Sequence, residues 1–432
     1  MRLEIESLDA EGRGVARGPE GKVMFVEGAL PGERVEAQVV RRKPKFDLAR
    51  AIEVLRESSA RRAPRCRYFG VCGGCVTQHI DGRTQLAAKQ RWLEDCLSRI
   101  GGVRPETILP VVYGQEWGYR RRARLTVRRV EKKGGVLVGF HERRSSYVAD
   151  MLSCEVLPER VSRLIPGLRA LVETLSIRRR LPQIELALGD TTDVLVIRHL
   201  EPLEPGDEQK LRAFADEERV SIWLQPAGPE SAHPFHPLPA PTLDYALPEF
   251  GIRLGFRPTD FTQVNHAVNR VLVSRAVRLL EPRLHERIGD LFCGLGNFSL
   301  PIARMGATVL GLEASTSLVE RARGNAAANG LQHLAAFAVA DLYAEGAGDL
   351  AALGPFDKLL IDPPRDGALE AVKALPQDWP WRVVYVSCDP ATLARDADVL
   401  VHAKGFRLAA AGVANMFPHT AHVESIALFE RS

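Results

Sequence analysis

Long apolar runs are missing from this chain of 432 residues. Although 45% of it is hydrophobic, no stretch approaches the ~20 consecutive apolar residues of a membrane span, which removes a helical membrane protein from consideration. Cysteine is scarce, seven in all, and the opening residues MRLEIESLDAEGRG place acids where a signal peptide carries a basic end and an apolar run. Together these argue against a disulfide framework and for metal-binding or catalytic cysteines in a cytoplasmic protein. Charge of one sign is missing too: 58 Lys and Arg stand against 54 Asp and Glu, a formal +4. No internal repeat and no low-complexity tract is found. What is left is an ordinary globular composition, with length for two to four domains at roughly 150 residues each.

Charge is unevenly placed. Residues 1–60 balance, whereas residues 61–150 hold 19 basic against 8 acidic residues. The densest run is Tyr119 to Arg129, with Trp117 beside it. Arginine forks pair with phosphate and neighbouring aromatics stack on unpaired bases. A solvated strand face is the commoner reading of a charge run alone. The surplus next to a cysteine cluster favours a nucleic-acid footprint.

The first 57 residues read as closely spaced short strands (Leu3–Ser7, Lys22–Val26, Arg34–Val40, Leu48–Leu55) with Gly and Pro between them. That suits a five-stranded, OB-like β-barrel, a platform for oligonucleotides, or else a small structural β-module. Residues 58–256 read as a central α+β domain. It opens on a Ser-Ser-Ala-Arg-Arg linker, and Thr84–Ile100 has helical apolar spacing that puts Cys96 on the core face. Strands are expected at Leu125–Val130, Val136–Phe140, Ile184–Leu188 and Val194–Arg198, and a long loop from Pro226 to Pro241. From residue 257 to 432 a helix over Val264–Leu280 precedes alternating strands and helices. The strands are Arg287–Phe292, Thr308–Glu313, Ala335–Asp341, Lys358–Asp362 and Val383–Cys388. Alternation of this kind predicts an α/β, Rossmann-like sheet, closed by an antiparallel pair within Arg407–Glu430. Ligands bind such sheets beyond the C-terminal strand ends.

Those ends carry reactive groups. Asp290-Leu-Phe-Cys-Gly-Leu-Gly-Asn297 is a strand, a glycine loop and a helix start, and lacks the third glycine of a dinucleotide fingerprint. Glu313 ends the next strand, where a carboxylate accepts from both ribose hydroxyls. Asp341 ends the third, in reach of an adenine or sugar edge; a lone acid there is commonly a helix N-cap. Loop and acids describe a nucleoside cofactor without a pyrophosphate, S-adenosylmethionine ahead of NAD. Asp362, in Asp362-Pro-Pro-Arg365, and Cys388, between Ser387 and Asp389, close the fourth and fifth strands. A thiolate at Cys388 is a nucleophile, although a lone cysteine is often an inert core residue. His419 and His422 admit a structural role, and Glu424 is the better-placed base. A thiolate, a methyl donor and a base are the three functions that methylation of uracil carbon 5 requires.

Three further cysteines, Cys66, Cys72 and Cys75, lie within ten residues on a glycine-rich segment, with Cys154 as a distant fourth. Four sulfur ligands admit zinc or an iron–sulfur cluster, and spacing does not choose.

At this point the motifs resemble, across essentially the whole chain, the bacterial 23S ribosomal RNA uracil-C5 methyltransferases. Leu8 to Ala16 is similar to the signature of a TRAM domain. The resemblance implies a [4Fe-4S] cluster on Cys66, Cys72, Cys75 and Cys154, which breaks the tie with zinc. It also implies Cys388 as nucleophile and Glu424 as base, with Gln263, Phe292, Asn297, Glu313, Asp341 and Asp362 on S-adenosylmethionine. The implied substrate is 23S ribosomal RNA, with no membrane and no obligate protein partner. Two enzymes compete. A bacterial transfer-RNA uracil-C5 methyltransferase lacks the first domain and the cysteines. A radical methylthiotransferase needs a C-x3-C-x2-C group that is not found. A non-enzymatic RNA-binding iron–sulfur assembly factor would need one of Cys388, Glu424 or Asp362 to be missing.

Overall fold

The computed structural model describes residues 1–345 and 350–431. Among them no helix is long and apolar enough to cross a membrane.

The N-terminal part is a curled sheet. β1 (Arg2–Glu4) and β2 (Ser7–Leu8) are halves of one bent strand, followed by β3 (Gly14–Arg17), β4 (Val23–Glu27), β5 (Arg34–Arg42) and β6 (Phe46–Arg56). The order β1-β5-β6-β4-β3-β2 closes because the bent strand pairs with β5 at one end and β3 at the other. Counted once, it makes the five strands expected. Register shifts between β5 and β6 supply the curl. Alternate residues (Leu3, Met24, Val26, Val35, Ala37, Ala49) fill the interior. Gly12, at φ +74°, is required where the turn after β2 meets the next segment: a β-carbon there would stand 2.7 Å from Thr77 Cγ2.

After the cysteine segment comes α1 (Gly82–Arg99), whose N-cap Asp81 accepts from Thr84 N–H at 3.1 Å, and then β7 (Thr107–Ile108). Neither packs mainly on its chain neighbours. Leu93, Cys96 and Leu97 of α1 are buried in one core with residues near the C-terminus such as Leu393, Ala397 and Val423. Each such leucine contributes about 1.5–3 kcal/mol. Cys96 is therefore the core cysteine its spacing predicts.

The central sheet, order β13-β12-β11-β10-β8-β9, comprises β8 (Arg122–Val130), β9 (Gly135–Gly139), β10 (Gln183–Leu188), β11 (Asp193–Arg198), β12 (Ser221–Gln225) and β13 (His233–His236). α2 (Glu159–Ser162) and α3 (Leu164–Thr174) precede β10. α4 (Pro205–Glu218) makes the crossover between β11 and β12, the sheet's parallel pair. β13 corrects the long loop expected from Pro226 to Pro241: a strand containing Pro234 is tolerated there because it lies at the sheet edge.

A hairpin, β14 (Asp244–Leu247) and β15 (Ile252–Gly255), leads into α5 (His266–Leu280). The last sheet runs through β16 (Arg287–Leu291), α6 (Ser299–Arg304), β17 (Thr308–Glu313), α7 (Thr316–Ala328), β18 (Ala335–Val339), α8 (Leu350–Leu353) and β19 (Lys358–Ile361). It continues through α9 (Leu369–Ala374), β20 (Arg382–Ser387), α10 (Pro390–Asp398), β21 (Arg407–Ala414) and β22 (Glu424–Glu430). Its order is β18-β17-β16-β19-β20-β22-β21-β7, parallel through β20 and antiparallel at β22. Strand order reverses between β16 and β19, so the ligand crevice lies beyond their C-terminal ends.

Candidate active site

A cavity of about 470 Å³ opens at that reversal. Phe292, Asn297, Glu313, Asp362, Cys388 and Glu424 line it from five strand ends, and Gln263 lines it from the segment before α5. Phe292 leaves β16 at φ +64°, a left-handed conformation that turns the chain across the strand end. Its ring meets that of Tyr343 with centroids 5.5 Å apart. Glu313 braces the glycine loop: one carboxylate oxygen accepts from Gly294 N–H at 3.2 Å and the other from Ser315 N–H at 2.9 Å. The Asn297 amide is locked by reciprocal bonds with Asn269 (2.9 and 3.1 Å) and by the Tyr245 hydroxyl donating to it at 2.9 Å. Among the described residues Asn297 Nδ2 donates one hydrogen bond, to Asn269 Oδ1.

The nucleophile and base candidates are set by strand register. β20 and β22 run antiparallel with Ser387 opposite Ser425. The ladder ends at that pair, and the residues that flank it, Cys388 after β20 and Glu424 at the start of β22, both line the cavity. Glu424 is 2% exposed, and burial followed by the charge of Asp362 pushes its carboxyl well up. Burial pushes Asp362 up to about 7. Cys388 is pushed up to about 12 by burial and then by Glu424 and Asp362, with Arg365 acting the other way. Three acids therefore crowd a crevice with one opposing cation, an arrangement that suits a positively charged ligand.

Asp341 is not brought in. Its side chain is exposed and accepts from Tyr343 N–H at 3.0 Å within its own turn, while Ala340, Leu342 and Tyr343 line the wall. Sequence reasoning missed Tyr245, Tyr343, Phe417 and Arg365. Only Arg365 had a signal, as the last residue of Asp362-Pro-Pro-Arg365.

Cys66, Cys72, Cys75 and Cys154 do converge, around a second cavity of about 320 Å³ that also includes Tyr68, Phe69 and Phe140. None is in a disulfide. Burial pushes Cys75 up to about 11 and Cys154 up to about 12. Among the described residues no three His, Cys, Asp or Glu side chains are gathered at single-ion spacing. Arg365, Phe417 and His422 line both cavities and form the wall between them, with Arg365 Nη2 3.4 Å from His422 Nδ1.

The basic run is largely absorbed by the protein itself. Arg121 donates to Gly189 O, Arg122 to Pro258 O, Arg124 to Glu185 and Arg129 to Glu173, at 2.6–3.0 Å. Tyr119 is buried with its hydroxyl on Pro418 O, and Trp117 stacks on His419 at 3.9 Å. These aromatics are not free to stack on bases, which corrects the expectation drawn from the run.

Strand order, crevice and glycine loop define a methyltransferase of the S-adenosylmethionine-dependent class. Residues 249–432 match the family described as tRNA (Uracil-5-)-methyltransferase, and residues 1–52 match the TRAM domain. The crystal structure of Pyrococcus abyssi tRNA (uracil-54, C5)-methyltransferase in complex with S-adenosyl-L-homocysteine superposes with a TM-score of 0.76 at 25% identity, over 99% of this chain and 100% of that one. The chain is 63% identical to the 23S rRNA (uracil(1939)-C(5))-methyltransferase RlmD of Thiobacillus denitrificans and 61% identical to that of Aromatoleum aromaticum, each over 99% of both chains. The Nitrosospira multiformis protein of the same name is 60% identical over 99% of this chain and 98% of its own. This chain belongs to the 23S rRNA (uracil(1939)-C(5))-methyltransferase family.

Proposed function

We propose that the chain methylates carbon 5 of the uridine equivalent to 1939 in 23S ribosomal RNA, with Cys388 as nucleophile and Glu424 as base. The observation that carries this reading is that Cys388 and Glu424, which flank the last ladder pair Ser387–Ser425, line one crevice close enough for the carboxyl charge to act on the thiol. Bound S-adenosylmethionine supplies a methyl group on a sulfonium, whose positive charge matches the surplus of acids. Gln263, Phe292, Asn297, Glu313 and Asp362 are assigned to hold it; Asp341, bonded within its own turn, is not among the lining residues.

The Cys388 thiolate adds to carbon 6 of the flipped uracil, making carbon 5 enolate-like and able to take the methyl. Glu424 then removes the proton from carbon 5. The sulfur–carbon bond breaks, the ring double bond returns and the thiolate is free again. The base must leave its stack at a cost of a few kcal/mol, which favours an RNA loop.

Cys66, Cys72, Cys75 and Cys154 are assigned to a [4Fe-4S] cluster. A single zinc ion would draw four sulfurs to ~2.3 Å of one point. Four thiols spread around a 320 Å³ cavity, with burial opposing the ionisation of Cys72, Cys75 and Cys154, fit a larger cationic core better. Addition, methyl transfer and elimination balance without electrons from such a group, so its role is to order the loops beside the active site.

On this reading residues 1–57 bind RNA, 58–256 hold the cluster and 257–432 carry out the chemistry in the cytoplasm, with α1 and β7 lent to the catalytic core. Mapping 5-methyluridine in ribosomal RNA tests it, using cells without the protein and cells restored with wild-type or Cys388→Ala. The modification should return only with wild-type. Its return with Cys388→Ala would refute the covalent route, and its appearance in transfer RNA instead would move the substrate.

A further inference from the structure

The loop that delivers Glu424 is gripped from outside. Residues 415–423 join β21 to β22, and residues far earlier in the chain hold them. Asn415 N–H donates to Val112 O at 2.7 Å. His419 O accepts from Val76 and Thr77 N–H, at 2.9 and 3.1 Å, on the segment leaving Cys75. His419 N–H donates to Gln85 Oε1 at 3.0 Å. His419 sits at φ +65°, a conformation that costs a residue with a β-carbon roughly 1–2 kcal/mol and persists only where neighbours enforce it.

One of these grips is a buried cation. Lys89, on α1 and 6% exposed, donates through Nζ to Asn415 Oδ1 and to Phe417 O, both at 2.8 Å. Among the described residues no carboxylate pairs with it, and burial alone pushes its ammonium down to about 7. A buried amine without an acid partner lowers stability relative to an apolar residue of the same length. In return it makes two directed bonds, to the first and third residues of the loop. Phe417 lies in the wall of the crevice, and His422 and Glu424 follow on the same loop and strand.

We propose that Lys89 is a positioning residue for the reaction, fixing residues 415–417 so that Glu424 meets the proton on carbon 5. The proposal rests on Glu424 being the base. Displacing a base by about 1 Å costs on the order of a hundredfold, and Lys89 is not among the residues that line the crevice.

The test compares Lys89→Met, Asn415→Ala and Glu424→Gln for turnover on unmodified 23S RNA, binding of S-adenosylmethionine and the yield of denaturant-resistant protein–RNA adduct. For Lys89→Met, kcat should fall at least about tenfold, with cofactor binding within about twofold and adduct accumulating as in Glu424→Gln. Asn415→Ala, which removes one of the two acceptors, should shift the same way by less, and it carries the test if Lys89→Met fails to fold. Wild-type kcat, or loss of adduct and cofactor binding in parallel, overturns the role of Lys89 while Glu424→Gln still traps. No adduct with Glu424→Gln overturns the base assignment and this proposal together.

Discussion

Two sulfur-bearing cavities share a wall in this protein, and they are built in opposite ways. Around Cys388 the functional side chains other than Gln263 leave the end of a regular strand or the turn directly after it, so backbone ladders fix their positions before any ligand arrives. Around Cys66, Cys72, Cys75 and Cys154 there is almost no ladder. Isolated bridges such as Cys72 with Glu142 and a few turn hydrogen bonds stand in for it. The first cavity is a preformed receptor. The second gathers its thiols on loops, where the proposed cluster would supply the order.

That contrast can be broken at either cavity. The largest effect belongs to Glu424→Gln: turnover should fall by roughly 10²–10⁴, with a much smaller loss of cofactor affinity because Glu313 and Asp362 remain in the receptor. Calorimetric binding measured beside single-turnover rates checks this; a large loss of affinity would mean the carboxyl helps to build the receptor. Next is Cys154→Ser, which should lose iron and visible absorbance and lower Tm by roughly 5 °C or more while cofactor binding stays near wild-type. An unchanged Tm would show that the loops hold themselves.

The smallest effect is expected at Asp362. Its carboxyl is raised to about 7, so the ligand-free folded state keeps a proton that the unfolded chain releases above pH ~4. The stability this gives is complete below pH ~4 and is lost as pH rises through 7. Asp362→Asn should therefore raise the ligand-free Tm by roughly 2–4 °C at pH 8, change little at pH 4 and weaken cofactor binding. A lower Tm at pH 8 would mean the carboxylate is already matched by a partner.

Much of the catalytic part is legible because it is local. The apolar run Lys358–Ile361 followed by Asp362-Pro-Pro reads as a buried strand ending in an acid, and the structure agrees. Asp341 looks the same in sequence as Glu313. What separates them is that Asp341 leaves the edge strand β18 and turns back on its own loop. The arginine run misleads for a related reason: Glu173 and Glu185, which consume Arg129 and Arg124, lie some 44 and 61 residues on. Tyr245 carries no motif, and its hold on Asn297 appears only when β14 packs beside the glycine loop. Local pattern reports strands and turns; long-range pairing decides which polar groups remain free.

The pairing of β7 with β21 spans Thr107 to Ala410. At 5–20 residues per second, roughly 15–60 s of synthesis separate the two. Throughout that interval the apolar stripe of α1 has been made and the C-terminal residues that cover it have not. The catalytic half can therefore complete its fold only once its last strands have been made.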